Sequence, residues 1–212
     1  MIILFDLDGT LIDSTEAILE SFEHSFDFHK LPRRDNEEIK SLIGYPLDIM
    51  YKELGVEKES ISDLIATYKG HYRDISTQKT VLLKNAKEAI ELASRFATLG
   101  IVTTKTGHYS KVLMEHFGVM HHFEVLIGRE DVENPKPHAE PITKALQKLD
   151  IKNREVWMIG DTKLDLIAAK SANVNSIGVL SGYDKIETLK MFTNVILNDA
   201  LEAAIYLQNR KK

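Results

Sequence analysis

Two carboxylates stand one residue apart in Phe5-Asp6-Leu7-Asp8-Gly9-Thr10-Leu11, directly after a short apolar run. At the carboxyl end of a strand in an open α/β sheet, two acids so spaced stand at the lip of the crevice where ligands bind. More polar groups follow the later apolar runs. Val102-Thr103-Thr104-Lys105 brings a hydroxyl, Asn134-Pro135-Lys136-Pro137 a lysine between two prolines, and Ile159-Gly160-Asp161-Thr162-Lys163-Leu164-Asp165 two acids four residues apart. The prolines restrict the backbone on both sides of Lys136 and so fix where it points. Each feature also has a plain structural reading: a turn or N-cap for Asp6 and Asp8, a β-branched strand residue for Thr103, a surface-loop cation for Lys136, an acidic helix terminus for Asp161 and Asp165. Together they supply one hydroxyl, one ammonium and four carboxylates. Carboxylates that close repel, so a hard divalent cation with oxygen ligands is implied, and few carboxylates plus water and phosphate suit magnesium better than calcium. Magnesium and Lys136 would jointly neutralise a phosphoryl group held against a carboxylate.

The elements that must position these groups are legible in the hydrophobic pattern. Apolar runs at 2–5, 99–102, 123–127, 156–159 and 176–180, with a weaker one at 195–197, predict strands buried on both faces. Helical periodicity at 86–96, 110–117, 141–149 and 165–172 alternates with them, which is the pattern of a parallel sheet with right-handed crossovers. Between 14 and 80 there is no β-run, only successive amphipathic helices broken near Pro32, at Gly44-Tyr45-Pro46 and near 55–60. The expected architecture is therefore α/β: a Rossmann-like three-layer core with a central parallel sheet from 1–13 and 81–212, and an α-helical domain, 14–80, inserted after the first strand. Hinges are expected near 13–15 and 76–81. The insertion holds four of the five net negative charges, as a solvated outer face would.

Composition narrows the rest. The 212 residues, 43% hydrophobic and 28% charged with 11 Gly and 5 Pro, are those of a globular chain able to bury a core. The absence of cysteine excludes disulfides, thiolate catalysis and cysteine metal sites, so any metal sits on oxygen or imidazole. No signal-peptide pattern and no run of 18 apolar residues occurs, giving the expectation of a cytoplasmic protein without a membrane partner. A net charge of −5 argues against nucleic acid as a partner. The Arg210-Lys211-Lys212 tail reads as a solvated end. His121-His122 lacks accompanying carboxylates and reads as no zinc site, and Trp157 with Phe22, Phe26 and Phe28 reads as core or insertion interior.

The segments Phe5-Asp6-Leu7-Asp8-Gly9-Thr10-Leu11, Val102-Thr103, Lys136-Pro137 and Gly160-Asp161 with Asp165 resemble the four motifs of the haloacid dehalogenase superfamily of phosphohydrolases. The match spans residues 1 to about 180. The helical insertion resembles the small cap of the phosphoglycolate phosphatase and β-phosphoglucomutase branch, with Gly44-Tyr45-Pro46-Leu47 where that branch places its substrate-facing loop. The resemblance implies that Asp6 is the nucleophile forming an aspartyl-phosphate and Asp8 the proton donor and then base. It implies that magnesium is held by the Asp6 carboxylate, the Asp8 main-chain carbonyl and Asp161, with Asp165 acting behind them or through water. Thr103 and Lys136 would bind phosphoryl oxygens, and Gly9, Thr104, Gly44 and Tyr45 would complete the substrate site. Three positions depart from the family pattern: Thr104 stands where Asn is common, Ala139 where Pro is, and Asn173 where Gly ends a helix. None removes a catalytic group, and Asn is the next best residue for a left-handed helix terminus.

The expected function is thus a magnesium-dependent phosphatase acting on a small phosphorylated metabolite, phosphoglycolate being the analogy within that branch. The competing readings are a pyrophosphatase or nucleotidase, a β-phosphoglucomutase-like phosphomutase, and a phospho-accepting signalling domain. The sequence leaves the substrate and the choice between monomer and dimer open.

Overall fold

The computed structural model describes residues 1–152 and 154–210, so Lys211 and Lys212 of the expected tail lie outside the described residues. The chain divides into two compact units, Met1–Asp13 with Leu82–Lys212, and Ser14–Val81.

The first unit is built on a six-stranded sheet. In chain order its strands are β1 (Ile2–Phe5), β4 (Thr98–Val102), β5 (Phe123–Ile127), β6 (Val156–Gly160), β7 (Asn175–Val179) and β8 (Ile196–Leu197), arranged β5-β4-β1-β6-β7-β8 with every neighbouring pair parallel. This is the expected α/β architecture. After β1 the chain fills the β4-β5 side and then crosses to β6, β7 and β8, so the crossovers diverge beside β1, and in open α/β sheets the carboxyl end of the strands at such a point is where ligands bind. Phe5 is level with Ile101 on one side and Ile159 on the other, which brings the residues just past each strand to one line.

Side chains alternate between two apolar layers. Ile3, Phe5, Leu99, Ile101, Trp157 and Ile159 pack on one face with α5 (Ala86–Ser94) and α10 (Ala200–Arg210). Ile2, Leu4, Val102, Val125 and Met158 pack on the other with α7 (Glu140–Gln147) and α8 (Lys163–Ser171). Each fully buried Ile, Leu or Phe contributes about 1.5–3 kcal/mol from removal of apolar surface from water. Helix α5 shows why these segments are helical: Ala86, Ala89, Ile90 and Ala93 fall on one stripe and are buried. Helix α8 ends through Asn173 at φ +55°, the left-handed terminus expected there.

Some expectations need correction. Strand β5, at one edge of the sheet, is covered less completely than expected: Phe123, Val125 and Ile127 are buried and Leu126 is half-buried against an apolar layer, but Glu124 turns to solvent. Two unexpected short strands, β2 (Ile12–Asp13) and β3 (Val81–Leu82), pair where the chain leaves and re-enters the first unit. Arg210 is exposed, as the solvated tail predicts, and it closes α10 with its guanidinium 5.3 Å over the Trp157 ring and 3.7 Å from Glu155. His121 and His122 occupy a 3₁₀ turn with ring centroids 4.0 Å apart.

The second unit is helical: α1 (Thr15–Phe28), α2 (Asn36–Ser41), α3 (Leu47–Glu53) and α4 (Ile61–Ile75). Its interior centres on Phe22, whose ring meets Phe26, Tyr51 and Tyr68. Phe28, expected inside, is 67% exposed because it falls off the buried stripe of α1 at the helix end. No helix among the described residues is long and apolar enough to cross a membrane.

Candidate active site

Sheet register places the chemistry. Asp6 extends β1, with its amide donating to the Ile159 carbonyl at 2.9 Å, and Thr103 extends β4, donating to Ile127 at 3.0 Å. Asp161 follows β6 directly, and Asp165 lies in the first turn of α8. Lys136 arrives on the loop between β5 and α7. Asp6, Thr103, Lys136, Asp161 and Asp165 are all buried, which takes Lys136 out of its plain reading as a surface cation.

The structure joins these groups through Lys136. Its Nζ lies 2.6 Å from Asp165 Oδ1, 2.8 Å from Asp6 Oδ1 and 3.1 Å from the Val102 carbonyl. The Asp6 contact is at ion-pair distance but outside hydrogen-bonding geometry, so Asp6 Oδ1 is buried without a hydrogen-bond donor among the described residues. One oxygen from each of Asp6, Asp161 and Asp165 lies within 4.8 Å of the others. Asp161 is gripped by Thr10 Oγ1, which donates at 2.9 Å to Oδ1, and by the Tyr183 amide, which donates at 2.9 Å to Oδ2. Asp165 serves twice. Its Oδ2 accepts from the Thr162 amide and hydroxyl at 3.1 and 2.7 Å, capping α8, while Oδ1 takes Lys136.

Glycines make room for this crowding. Gly9 has φ +81°, and a Cβ there would stand 2.3 Å from Asp161 Oδ2; one on Gly160 would stand 2.3 Å from Asp165 Cγ. The electrostatics follow from burial. Burial, then the charge of Asp165, pushes the Asp6 carboxyl up to about 7 against the opposing pull of Lys136. Burial, then Asp6 and Asp165, raises Asp161 well above the usual carboxylate range. Burial works against the Lys136 charge, but Asp165 and Asp6 outweigh it and raise its pKa. Three buried acids facing one ammonium leave negative charge in excess, and a divalent cation on oxygen ligands fits that excess.

Asp8 stands apart from this cluster. Its carboxylate is held by Lys105 Nζ at 3.0 and 3.1 Å and offers no oxygen to the Asp6, Asp161, Asp165 group. That leaves only its main-chain carbonyl for a cation. Thr103 Oγ1 accepts from the Lys105 amide at 3.2 Å. Gly44 and Tyr45 lie in the helical unit between α2 and α3, and their part in substrate selection rests on the resemblance alone.

Four residues that shape the site are not picked out by the sequence pattern. Lys105 sits inside the Val102-Thr103-Thr104-Lys105 segment, and its charge next to a candidate phosphate-binding hydroxyl is the available signal. Thr10 shows in the sequence only as part of the first motif. Tyr183 acts through its main chain, which leaves no sequence mark. Glu140 braces the Lys136 loop, accepting from the amides of Glu133 and Asn134 at 3.0 and 2.9 Å, and an acid at a helix start four residues past Lys136 is its signal.

A model of haloacid dehalogenase-like hydrolases matches residues 3–179. The chain belongs to this family. A haloacid dehalogenase-like hydrolase is thus an enzyme, and phosphatase is the class its relatives' names carry. A pyrophosphatase PpaX from Oceanobacillus iheyensis is 35% identical over 191 residues, covering 90% of this chain and 88% of that protein. The crystal structure of a predicted phosphatase from Clostridium acetobutylicum shares 27% identity with a TM-score of 0.88, covering 98% of each chain. A predicted phosphoglycolate phosphatase from Haemophilus somnus has the same fold, at 22% identity and a TM-score of 0.88 over 97% of each chain.

Proposed function

We propose that this haloacid dehalogenase-like hydrolase is a magnesium-dependent phosphatase for small phosphorylated substrates, working through a phosphorylated Asp6. The single observation that carries the reading is the convergence of Asp6, Asp161 and Asp165 on one point, with Lys136 bridging Asp6 and Asp165. Asp6 attacks phosphorus with a carboxylate oxygen and the bond to the leaving oxygen breaks, giving an acyl phosphate and splitting one difficult displacement into two. Asp8 donates a proton to the leaving oxygen, then takes one from the water that attacks the acyl phosphate and returns Asp6 as a carboxylate. Lys136 and Thr103 hold phosphoryl oxygens and stabilise their charge in a site that excludes bulk water. Magnesium, when bound by the Asp6 and Asp161 carboxylates and the Asp8 carbonyl with Asp165 behind them, supplies positive charge to offset repulsion between phosphate and carboxylate. The helical unit 14–81 is assigned the role of a substrate-selecting cap on the strength of the resemblance.

Pyrophosphate is the second reading within the same chemistry, favoured by the name of the 35%-identical relative. The deciding experiment is phosphate release from p-nitrophenyl phosphate, 2-phosphoglycolate, pyrophosphate, nucleoside monophosphates and sugar phosphates, with magnesium or EDTA, by wild type and Asp6→Asn. Release that needs magnesium and vanishes in Asp6→Asn is expected; a stable phosphorylated Asp6 without turnover would favour the signalling or mutase reading instead.

A further inference from the structure

The two site lysines are divided between the two working acids. Lys136 lies on Asp6 and Asp165, the attacking side, whereas Lys105 chelates both oxygens of Asp8 at 3.0 and 3.1 Å. Lys105 is no loose surface cation, for its side chain is only 9% exposed and that of Asp8 12%. Its main chain is fixed on both sides, the amide donating to Thr103 Oγ1 at 3.2 Å and the carbonyl accepting from the Arg129 amide at 3.0 Å. The ammonium is therefore presented at one place, against the carboxylate that serves the leaving oxygen.

We infer that Lys105 is a specificity-determining residue that selects substrates whose leaving group is itself anionic, a second phosphate or a carboxylate. The inference rests on the proposed role of Asp8 as donor to the leaving oxygen and deepens that reading. A group bonded to the leaving oxygen must lie next to Asp8 and hence next to Lys105. An anionic group there pairs with a positioned, poorly hydrated ammonium, and such charge-assisted contacts are about twice as strong as neutral ones. A sugar or nucleoside hydroxyl can accept from the ammonium but brings no charge to pair with it, so it gains less. The transferred phosphoryl group does not need this second cation, since Lys136 already stands at Asp6.

The test compares wild type, Lys105→Met and Lys105→Arg on two substrates with anionic leaving groups, pyrophosphate and 2-phosphoglycolate, and two whose leaving alcohols carry no charge, glycerol 1-phosphate and glucose 6-phosphate. The expected result is that Lys105→Met lowers the ratio of kcat/KM for the anionic pair over the neutral pair by at least about tenfold, mostly through KM, and that Lys105→Arg restores much of it. Which anionic substrate loses more identifies phosphate or carboxylate as the group selected. Equal losses on all four would overturn the inference and leave Lys105 a positioning residue for Asp8. A second measurement needs no turnover: calorimetric binding of methylenediphosphonate and methylphosphonate with magnesium. Lys105→Met should weaken the diphosphonate selectively, and equal weakening would again overturn the inference. Failure of the phosphatase reading shows separately, as wild type releasing no phosphate from any of the four.

Discussion

Thr10 Oγ1 donates to Asp161 Oδ1 at 2.9 Å, tying the turn after the first strand to an acid 151 residues away. Both side chains are buried, so the hydroxyl fixes the orientation of a carboxylate that would face the cation. Partners that orient metal ligands are commonly worth 10–100-fold in affinity. Thr10→Val, close in volume but without the donor, is expected to raise the magnesium concentration for half-maximal activity by about tenfold or more. Thr10→Ser should stay near wild type, and a Thr10→Val enzyme with unchanged magnesium dependence would show the bond to be idle.

Lys136 concentrates the opposite risk. Removing one member of a buried ion pair leaves the other uncompensated, at a cost of about 3–5 kcal/mol. Lys136→Met strands both Asp6 and Asp165, so its thermal midpoint in EDTA should fall by about 6 °C or more for a chain of this size. Magnesium should return part of the loss by supplying charge to the same acids. A melting curve superimposable on wild type would contradict the pairing.

The glycines separate crowding from backbone preference. Gly160→Ala would drive a methyl to 2.3 Å from Asp165 Cγ, and the displaced carboxylate should cost at least about tenfold in kcat/KM, since small misplacements cost orders of magnitude. Gly70, inside α4, has nothing within 4 Å of its would-be Cβ. Gly70→Ala should therefore stabilise the protein by about 0.5–1 kcal/mol with kinetics intact. Chemical denaturation and steady-state assays on the two variants distinguish these outcomes, and loss of activity without change in the Gly70 variant's stability would reverse the assignment.

Glu140 carries the clearest acid dependence outside the buried cluster. Amide donation from Asn134 and then Glu133, aided by Lys144, holds its carboxyl at about 2, below its ordinary 4.5. A depressed folded pKa means stabilisation that is full above about 4.5 and lost as pH falls from there towards 2. The difference in melting temperature between wild type and Glu140→Gln should shrink through that window and hold steady from pH 5 to 8. A difference that grows on acidification would show that the amide contacts do not control this group.

Much of the fold is legible in the hydrophobic pattern alone. The apolar runs at 2–5, 156–159 and 176–180 lie within a residue or so of β1, β6 and β7, because strands covered on both faces need unbroken hydrophobic stretches. Asp165 shows where spacing stops short: capping and site membership are alternatives in the sequence, yet its two oxygens do both. Phe28 departs from expectation because apolar type predicts burial only where a neighbour exists to cover it.

By itself the sequence determined where the strands of the main sheet lie, to within about a residue, since hydrophobic periodicity and turn chemistry are local properties. Only the tertiary structure decided which cation serves which acid. Lys136 reaches Asp165 across 29 residues and Lys105 reaches Asp8 across 97, pairings that depend on strand order and register. Local spacing carries neither. A carboxylate's charge, water access and partners are set by whatever the crossovers bring beside it, and here they gave Lys136 to Asp6 and Asp165 and Lys105 to Asp8.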